Sequence, residues 1–553
     1  LKATKPNKTL QFYTQGDYEK WKEDHNDGKG YKIKYYKGLG TSTSKEFKEY
    51  FKEKRIVSFV QDPEDLHLID KIFNKTKADE RKQWLESYDR NRYLDVKHKN
   101  ISYEDFIDNE LIHFSKYDCD RSIPNGVDGL KLSQRKILFS AFKKKLHQEI
   151  KVAQFSGYVS EQSGYHHGEA SLNGAIVNMA QDFVGSNNIH LLLPNGQFGT
   201  RLQGGKDSAS ERYIYTRLNP ITRLIFRKED DCVLNYLDDD GLSVEPIYYT
   251  PIIPMVLVNG ALGIGTGFAT NIPCYDAKRI IYNIKQKIRD ADEKMEFKDS
   301  ELFPSYRGFK GSIHQEGKNK YITTGCYEVK GKSFIITELP IGVWNENYVA
   351  FLEKAMETKK LNIRDYKDLS TDKDINIELV FSSSTSLQDS KTVQKIVEQF
   401  KMTSSLSTSN MYLFNNKESL KKYECVDDII NDFIITRLEY YDKRKAKQLE
   451  QLENLLVLYS NKYKFIMELL QDTLDLRKKK AQDIYVILEE KNYDKIENSY
   501  HYLVKMPMDM VNEENVEKLK HEYDETKKAI EELKAMTNVD IYYKEIVELE
   551  EAI

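Results

Sequence analysis

Hydrophobic spacing divides the chain into stretches of different kind. Within residues 421–553, Leu449, Leu452, Leu456, Tyr459, Tyr463, Ile466 and Leu470 step by alternating threes and fours, and Val516, Leu519, Tyr523, Ile530 and Leu533 follow the same spacing with one turn skipped. Such a 3.5-residue repeat between charged flanks predicts two long helices packed as an antiparallel coiled coil. Between them, 473–510 holds Pro507 and a denser apolar cluster, which predicts a small globular tip. Helical spacing recurs at 132–146, where Ile137, Leu138, Ala141 and Phe142 share a side, and at 169–184, where Leu172, Ile176, Met179 and Phe183 do. Strand patterns at 334–338 and 376–381 alternate with a helix at 391–401, so 276–420 reads as an α+β unit. At the start, Tyr31, Ile33 and Tyr35 alternate, a Lys-Gly-Leu-Gly turn follows at 37–40, and Thr43 is placed to cap an amphipathic helix. Residues 1–60 thus read as the tail of an α/β domain, 61–100 as a charged helical connector, and 101–275 as short helices and glycine-rich loops. The fold class is multidomain α+β.

Length agrees, since 553 residues exceed what one hydrophobic core serves. Net charge is only −4, with 84 Lys and Arg against 88 Asp and Glu, so a nucleic-acid surface has to come from local sorting of charge. Five cysteines with no CxxC argue against a zinc site or a disulfide framework and for a reducing compartment. The longest apolar run, near Ile252 to Val258, is far short of the ~20 residues a membrane span needs, and no membrane partner is expected. A start at Leu1 with no methionine and no signal-peptide core suggests a soluble, intracellular segment of something longer.

Charge is sorted in one place. Residues 121–151 carry Arg121, Lys131, Arg135, Lys136, Lys143, Lys144, Lys145 and Lys151 against Asp128 and Glu149, a local net of +6. Arginines mixed with lysines across a glycine turn and a helix start suit phosphate contact better than a merely solvated face does. His166 and His167 precede the next helix, and Glu169 beside them completes no zinc pattern. On their own they would be a buried, hydrogen-bonded structural pair, or a phosphate contact. Further on, "QFGTRLQGGKDSASERYIYT" delivers Arg212 and Tyr213 from a glycine-rich loop into an apolar run. A phenol of pKa ~10 is a weak nucleophile at neutral pH, but a guanidinium beside it favours the phenolate and binds a phosphoryl oxygen. Attack on a phosphodiester would then store the bond's energy in a phosphotyrosyl ester.

The order "YYKGLGTSTSKE", "DERKQWL", "RSIPNGVDGLKLSQRK", "YHHGEASL", "NGQFGTRLQGGKDSASERYIYT", "PIIPMVLVNGALGIGTGF" resembles eukaryotic-type DNA topoisomerase II, a type IIA enzyme, from residue 10 to the end. The resemblance implies a C-terminal part of a TOPRIM domain at 1–60, a winged-helix DNA-cleavage domain at 101–275, a tower at 276–420 and a coiled-coil C-gate at 421–553. Tyr213 then matches the nucleophile that bonds to a 5′ phosphate, Arg212 the adjacent transition-state arginine, and His167 the histidine at the scissile phosphate. Arg121, Asp128, Lys131, Arg135 and Lys136 fall on the basic winged-helix motif, with Asp128 orienting the basic groups. His166 falls with the DNA contacts, Lys37 matches a TOPRIM lysine at the DNA backbone, and Ile264 matches an apolar wedge pushed between base pairs. Double-stranded DNA, a homodimer joined at the tip around Tyr502 to Met510, and a nuclear location are implied with them.

Some features depart from the pattern. The Mg²⁺ ligands of the family, a Glu-Gly-Asp-Ser segment and an Asp-x-Asp pair, are not in this chain, nor is the ATP-hydrolysing domain. The chain alone is therefore expected to bind and bend DNA but to cleave it poorly or not at all. Asp238 to Asp240 read as an acidic turn, Glu211 stands where it could compete for Arg212, and 490–500 is shorter than the matching loop of animal enzymes. Two other readings compete. A non-enzymatic DNA-bending winged-helix and coiled-coil protein explains the charge patch and the heptads but not the Arg-Tyr loop. A meiotic-type cleavage protein would lack the tower and the long gate.

Overall fold

Residues 1–60 fold around an antiparallel sheet in which Lys2–Lys5 lies between Lys8–Gln11 and Lys32–Lys34. Thr43 caps the helix Ser44–Lys52, and Glu46 answers it by accepting from the Thr43 amide at 2.8 Å, a capping box. The computed structural model describes the chain except for residues 14, 37–39, 53, 55, 90–91, 95–98, 240, 291–301, 331–332, 359–362 and 382–389. The charged connector is two short helices, Asp65–Phe73 and Ala78–Glu86, and Ser58–Val60 pairs in parallel with Asn100–Ser102.

Four helices follow: α1 (Ile112–Ser122), α2 (Leu132–Lys144), α3 (Val152–Ser163) and α4 (Glu169–Ala180). Helix α4 stops four residues before its apolar spacing does. Gln181 turns extended and spends its side-chain amide on the carbonyls of Phe198 and Gly205, so Phe183 belongs to the next loop. A small sheet sets β3 (Tyr215–Leu218) between β1 (Ile150–Lys151) and β2 (Leu192–Asn195). Two hairpins complete the unit, β4 (Tyr236–Asp239) with β5 (Leu242–Pro246), and β6 (Ala261–Ile264) with β7 (Ala269–Ile272). The core beneath them contains Ile137, Leu138, Val152, Phe155 and Ile176 with no exposed surface.

Residues 312–423 are α+β. Ser312–Gly317, Lys320–Thr324 and Thr403–Ser407 form one sheet, and a four-stranded sheet packs Phe334, Ile336 and Ile377 against Leu352 of the helix Asn345–Glu357. The chain then enters α5 (Val426–Leu470), 45 residues long, and returns through α6 (Glu513–Ala535) and α7 (Asn538–Ala552). Lys534 pairs with Glu453 while Lys445 reaches the Met536 carbonyl, so α6 runs antiparallel to α5. Leu474, Leu488, Tyr493, Tyr500 and Leu503 bury one another at the far end.

The root of α5 is held by ions, not by apolar packing alone. Arg437 and Arg444 both reach Asp230, at 2.7 and 3.3 Å, and Arg444 also reaches Glu545 of α7 at 2.6 Å. Tyr441 donates to Glu545 at 2.6 Å. All five side chains are buried. Burial works against the Glu545 carboxylate, yet Arg444 and Arg437 outweigh it and hold its pKa below the ordinary glutamate value. Among the described residues, no helix is long and apolar enough to cross a membrane.

Candidate active site

The Arg-Tyr pair sits on a turn that its surroundings fix. Within the glycine-rich loop, Gly199 (φ +98°) packs so closely on Gly205 that a Cβ would lie 2.6 Å from its backbone. Thr200 binds Asp207 through its amide at 2.9 Å and its hydroxyl at 2.6 Å, and Arg201 forms a buried pair with Glu338 of the α+β unit. At the loop's end the Glu211 and Ile214 carbonyls accept from Ala153 and Val152 at the start of α3, and the Tyr213 amide closes a turn on Ser210. Arg212 and Tyr213 lie between these anchors and point outward, Tyr213 being 74% exposed. Glu211 does not compete for its neighbour: its carboxylate meets Ser210, and among the described residues Arg212 has no hydrogen-bond or ion-pair partner.

A cleft of about 900 Å³ opens between α1, the loop before α4 and the β4–β5 hairpin, and Arg121, His166 and His167 line it with Tyr117 and Asp239. The histidines are not a buried pair. His166 is half exposed and meets Asp239 at 3.0 Å; Asp238 and Asp239, expected in an acidic turn, form the end of strand β4. His167 shares a hydrogen bond with the Tyr117 hydroxyl through Nε2. Arg212 and Tyr213 are not among the cleft's lining residues.

Three members of the basic motif, Asp128, Arg135 and Lys136, are engaged by partners within the fold. Asp128 is fully buried and takes a bidentate pair from Arg135 at 2.6 and 3.0 Å, plus the amides of Leu130 and Tyr249. With Arg135 also donating to the Leu130 carbonyl at 2.8 Å, its guanidinium is committed to the fold. Lys136 is likewise taken up, by Glu245 at 2.8 Å and the Ser163 carbonyl. These three hold the α2 frame; Asp128 and Arg135 are buried, whereas Lys136 is partly buried and lines the cleft beside Glu245. Arg121 stays exposed, and Lys131 reaches the Leu262 carbonyl at 2.7 Å, its partial burial lowering the ammonium pKa. Lys37 lies outside the described residues.

Above Lys131 stands the β6–β7 hairpin, strapped to α1 by Thr266, which donates to Asp118 at 3.0 Å. Gly263 has no room for a side chain, since a Cβ would fall 2.0 Å from the Ser122 carbonyl. On either side of it Leu262 and Ile264 project outward, 70% and 79% exposed.

A family profile described as the DNA gyrase/topoisomerase IV A-subunit family matches residues 121–550, and one described as the C-terminal associated domain of TOPRIM matches residues 1–119. The chain belongs to the type II DNA topoisomerase family. Similar proteins include DNA topoisomerase 2 of Arabidopsis thaliana, 46% identical over 89% of this chain and 34% of that protein. DNA topoisomerase 2 of Plasmodium falciparum is 40% identical over 100% and 42%. The crystal structure of the Plasmodium falciparum topoisomerase II DNA-binding, cleavage and re-ligation domain matches with a TM-score of 0.85 at 40% identity, covering 100% of this chain and 78% of that one. This topoisomerase chain thus spans a third to two fifths of the length of the curated relatives it matches first. Among its described residues, no three His, Cys, Asp or Glu side chains are grouped to hold a metal ion. Sequence reasoning missed Tyr117, Asp239 and Glu245. None lies in a motif that announces it, and each acts through a contact 50 to 109 residues away along the chain.

Proposed function

We propose that this chain is the DNA cleavage and religation core of an ATP-dependent type IIA topoisomerase, with Tyr213 as the nucleophile. The observation that carries the reading is the outward Arg212–Tyr213 turn, pinned on both sides by backbone hydrogen bonds to α3 while its own side chains face solvent. In the reaction the Tyr213 oxygen bonds to phosphorus, the phenolic proton is lost, and the 3′ oxygen departs and is protonated. The reverse attack reseals the strand without a high-energy cofactor. Arg212 offers charge to the phosphoryl oxygens, and Arg121 and His167 would meet the same backbone from the cleft. Arg135 and Asp128 support this frame from within.

In this reading α2 to α4 with the β4–β5 hairpin form the winged-helix domain, the α+β unit is the tower, and α5 with α6 is the coiled-coil gate. The protein works as a nuclear homodimer. Met508, Val486 and Met510, 84%, 53% and 43% exposed at the tip, support a dimer contact there. Ile264 is the wedge that unstacks a base step and bends the duplex. An Ile264→Ala protein is expected to keep its melting temperature, because the side chain is exposed, while its bent-DNA population falls at least about fivefold; fluorescence energy transfer across an end-labelled duplex measures it.

The reading is tested by incubating the full-length protein with supercoiled plasmid and Mg²⁺, stopping with SDS, and mapping the covalent peptide by mass spectrometry. A nucleotide on Tyr213, with protein on the 5′ ends of linear DNA, is the expected result. An adduct on another residue would overturn the assignment.

A further inference from the structure

We infer that Tyr117 is a positioning residue for His167, setting the plane and the tautomer of the imidazole that meets the DNA phosphate. The inference rests on the role proposed for His167. Tyr117 and Arg121 lie one turn apart on α1 and face the cleft together, the Arg121 guanidinium 5.9 Å from the Tyr117 ring centre. The Tyr117 ring meets His167 end-on, with centres 5.8 Å apart and planes 28° apart, and its hydroxyl meets Nε2. On another side Tyr165, buried, packs edge-on against the same imidazole at 5.5 Å and 76°. Tyr165 therefore walls the ring from one side, while Tyr117 brings a hydroxyl to a ring nitrogen from the end.

That hydroxyl does what ring packing cannot. Burial raises the Tyr117 phenol, so it remains a proton donor at neutral pH. Donating to Nε2, it places the imidazole's own proton on Nδ1 and fixes the ring against a flip that would exchange the two nitrogens. A histidine that must offer a defined atom to a phosphate oxygen gains orientation from this bond, as metal-bound histidines gain it from their outer partners. Tyr117 is itself 39% exposed, so its replacement disturbs no core.

The experiment is a double-mutant cycle on the full-length protein, comparing Tyr117→Phe, His167→Ala and the double variant. DNA affinity, melting temperature and the single-turnover cleavage rate at saturating DNA are measured for each. Tyr117→Phe keeps the ring and loses only the hydroxyl. It is expected to slow cleavage about three- to thirtyfold with affinity and melting temperature unchanged, and to have no effect in the His167→Ala background. Tyr117→Leu, which loses the same hydroxyl, is expected to slow cleavage at least as much. An equal loss in both backgrounds would make Tyr117 a structural residue, and a silent or faster Tyr117→Phe would also overturn the inference while leaving the role of His167 intact. If His167→Ala itself cleaves at the normal rate, the reading of His167 fails first, and the inference with it.

Discussion

Tyr213→Phe is expected to remove DNA cleavage while leaving the protein folded and bound to DNA. The substitution deletes one oxygen. Tyr213 is 74% exposed, and its hydroxyl has no hydrogen-bond partner among the described residues, so stability should stay within about 0.5 kcal/mol. The turn that presents it is held through main-chain atoms of Ser210, Glu211 and Ile214, none of which the change touches. In the proposed reading, binding and bending rest on other groups, Arg121, Lys131 and Ile264 among them. The covalent step has no substitute for the lost oxygen, so SDS-trapped adduct should fall by at least about a thousandfold, beyond the loss of any single auxiliary group. Gel-shift affinity and thermal melting, run beside the SDS assay, separate the outcomes. Adduct at the normal level on the Phe protein would mean another nucleophile. If neither protein forms an adduct while both bend DNA, the architectural reading takes over, and Arg212 and Tyr213 become a solvent-facing turn.

The second large effect is on stability. Glu545→Gln should cost about 3–5 kcal/mol, because it breaks a buried ionic network from one side and leaves guanidinium charge uncompensated. Glu545 accepts from Arg444 and Tyr441 at 2.6 Å each and lies 3.6 Å from Arg437. With its charge gone, Arg437 and Arg444 share Asp230 alone. Acid should reproduce part of the loss. The folded pKa of Glu545 is depressed, so its stabilisation is complete above the ordinary value of 4.5 and drains away as pH falls through the lower folded value. The gap in unfolding free energy between the two proteins should be constant from pH 7 to about 5.5 and narrow below that range; denaturant titrations at several pH values measure it. A gap that widened on acidification would contradict the sign.

Long periodic elements and long motifs were legible in the sequence, and solitary partners were not. The Leu449 to Leu470 repeat gives helix α5 directly, because a seam of 3.5-residue spacing has one geometric solution. The role proposed for Tyr213 comes from the resemblance of its motif, and the structure adds that its side chain is exposed. The basic motif misled in part. Arg135 and Lys136 look like their neighbours in a charge count, but helical phase turns them toward Asp128 and Glu245. Nothing local distinguishes an arginine that faces DNA from one that faces a buried carboxylate supplied seven residues earlier, or a lysine from its partner 109 residues later. The network at Asp230, Arg437, Arg444 and Glu545 was invisible for the same reason, since it joins three distant segments of chain.

That network also sets a mechanical ratio. Past Arg444 the helix runs on from 445 to 470, roughly 39 Å at 1.5 Å per residue. Because its root is clamped by paired ions to the body that carries Tyr213, a tilt of that body by about 10° carries the far end through about 7 Å, enough to part the dimer contact proposed at the tip. The clamp thus makes α5 a rigid arm. In the proposed reading, small angular strain where DNA would lie is multiplied into travel at the tip, and loosening the clamp would blunt that transmission as well as lower stability.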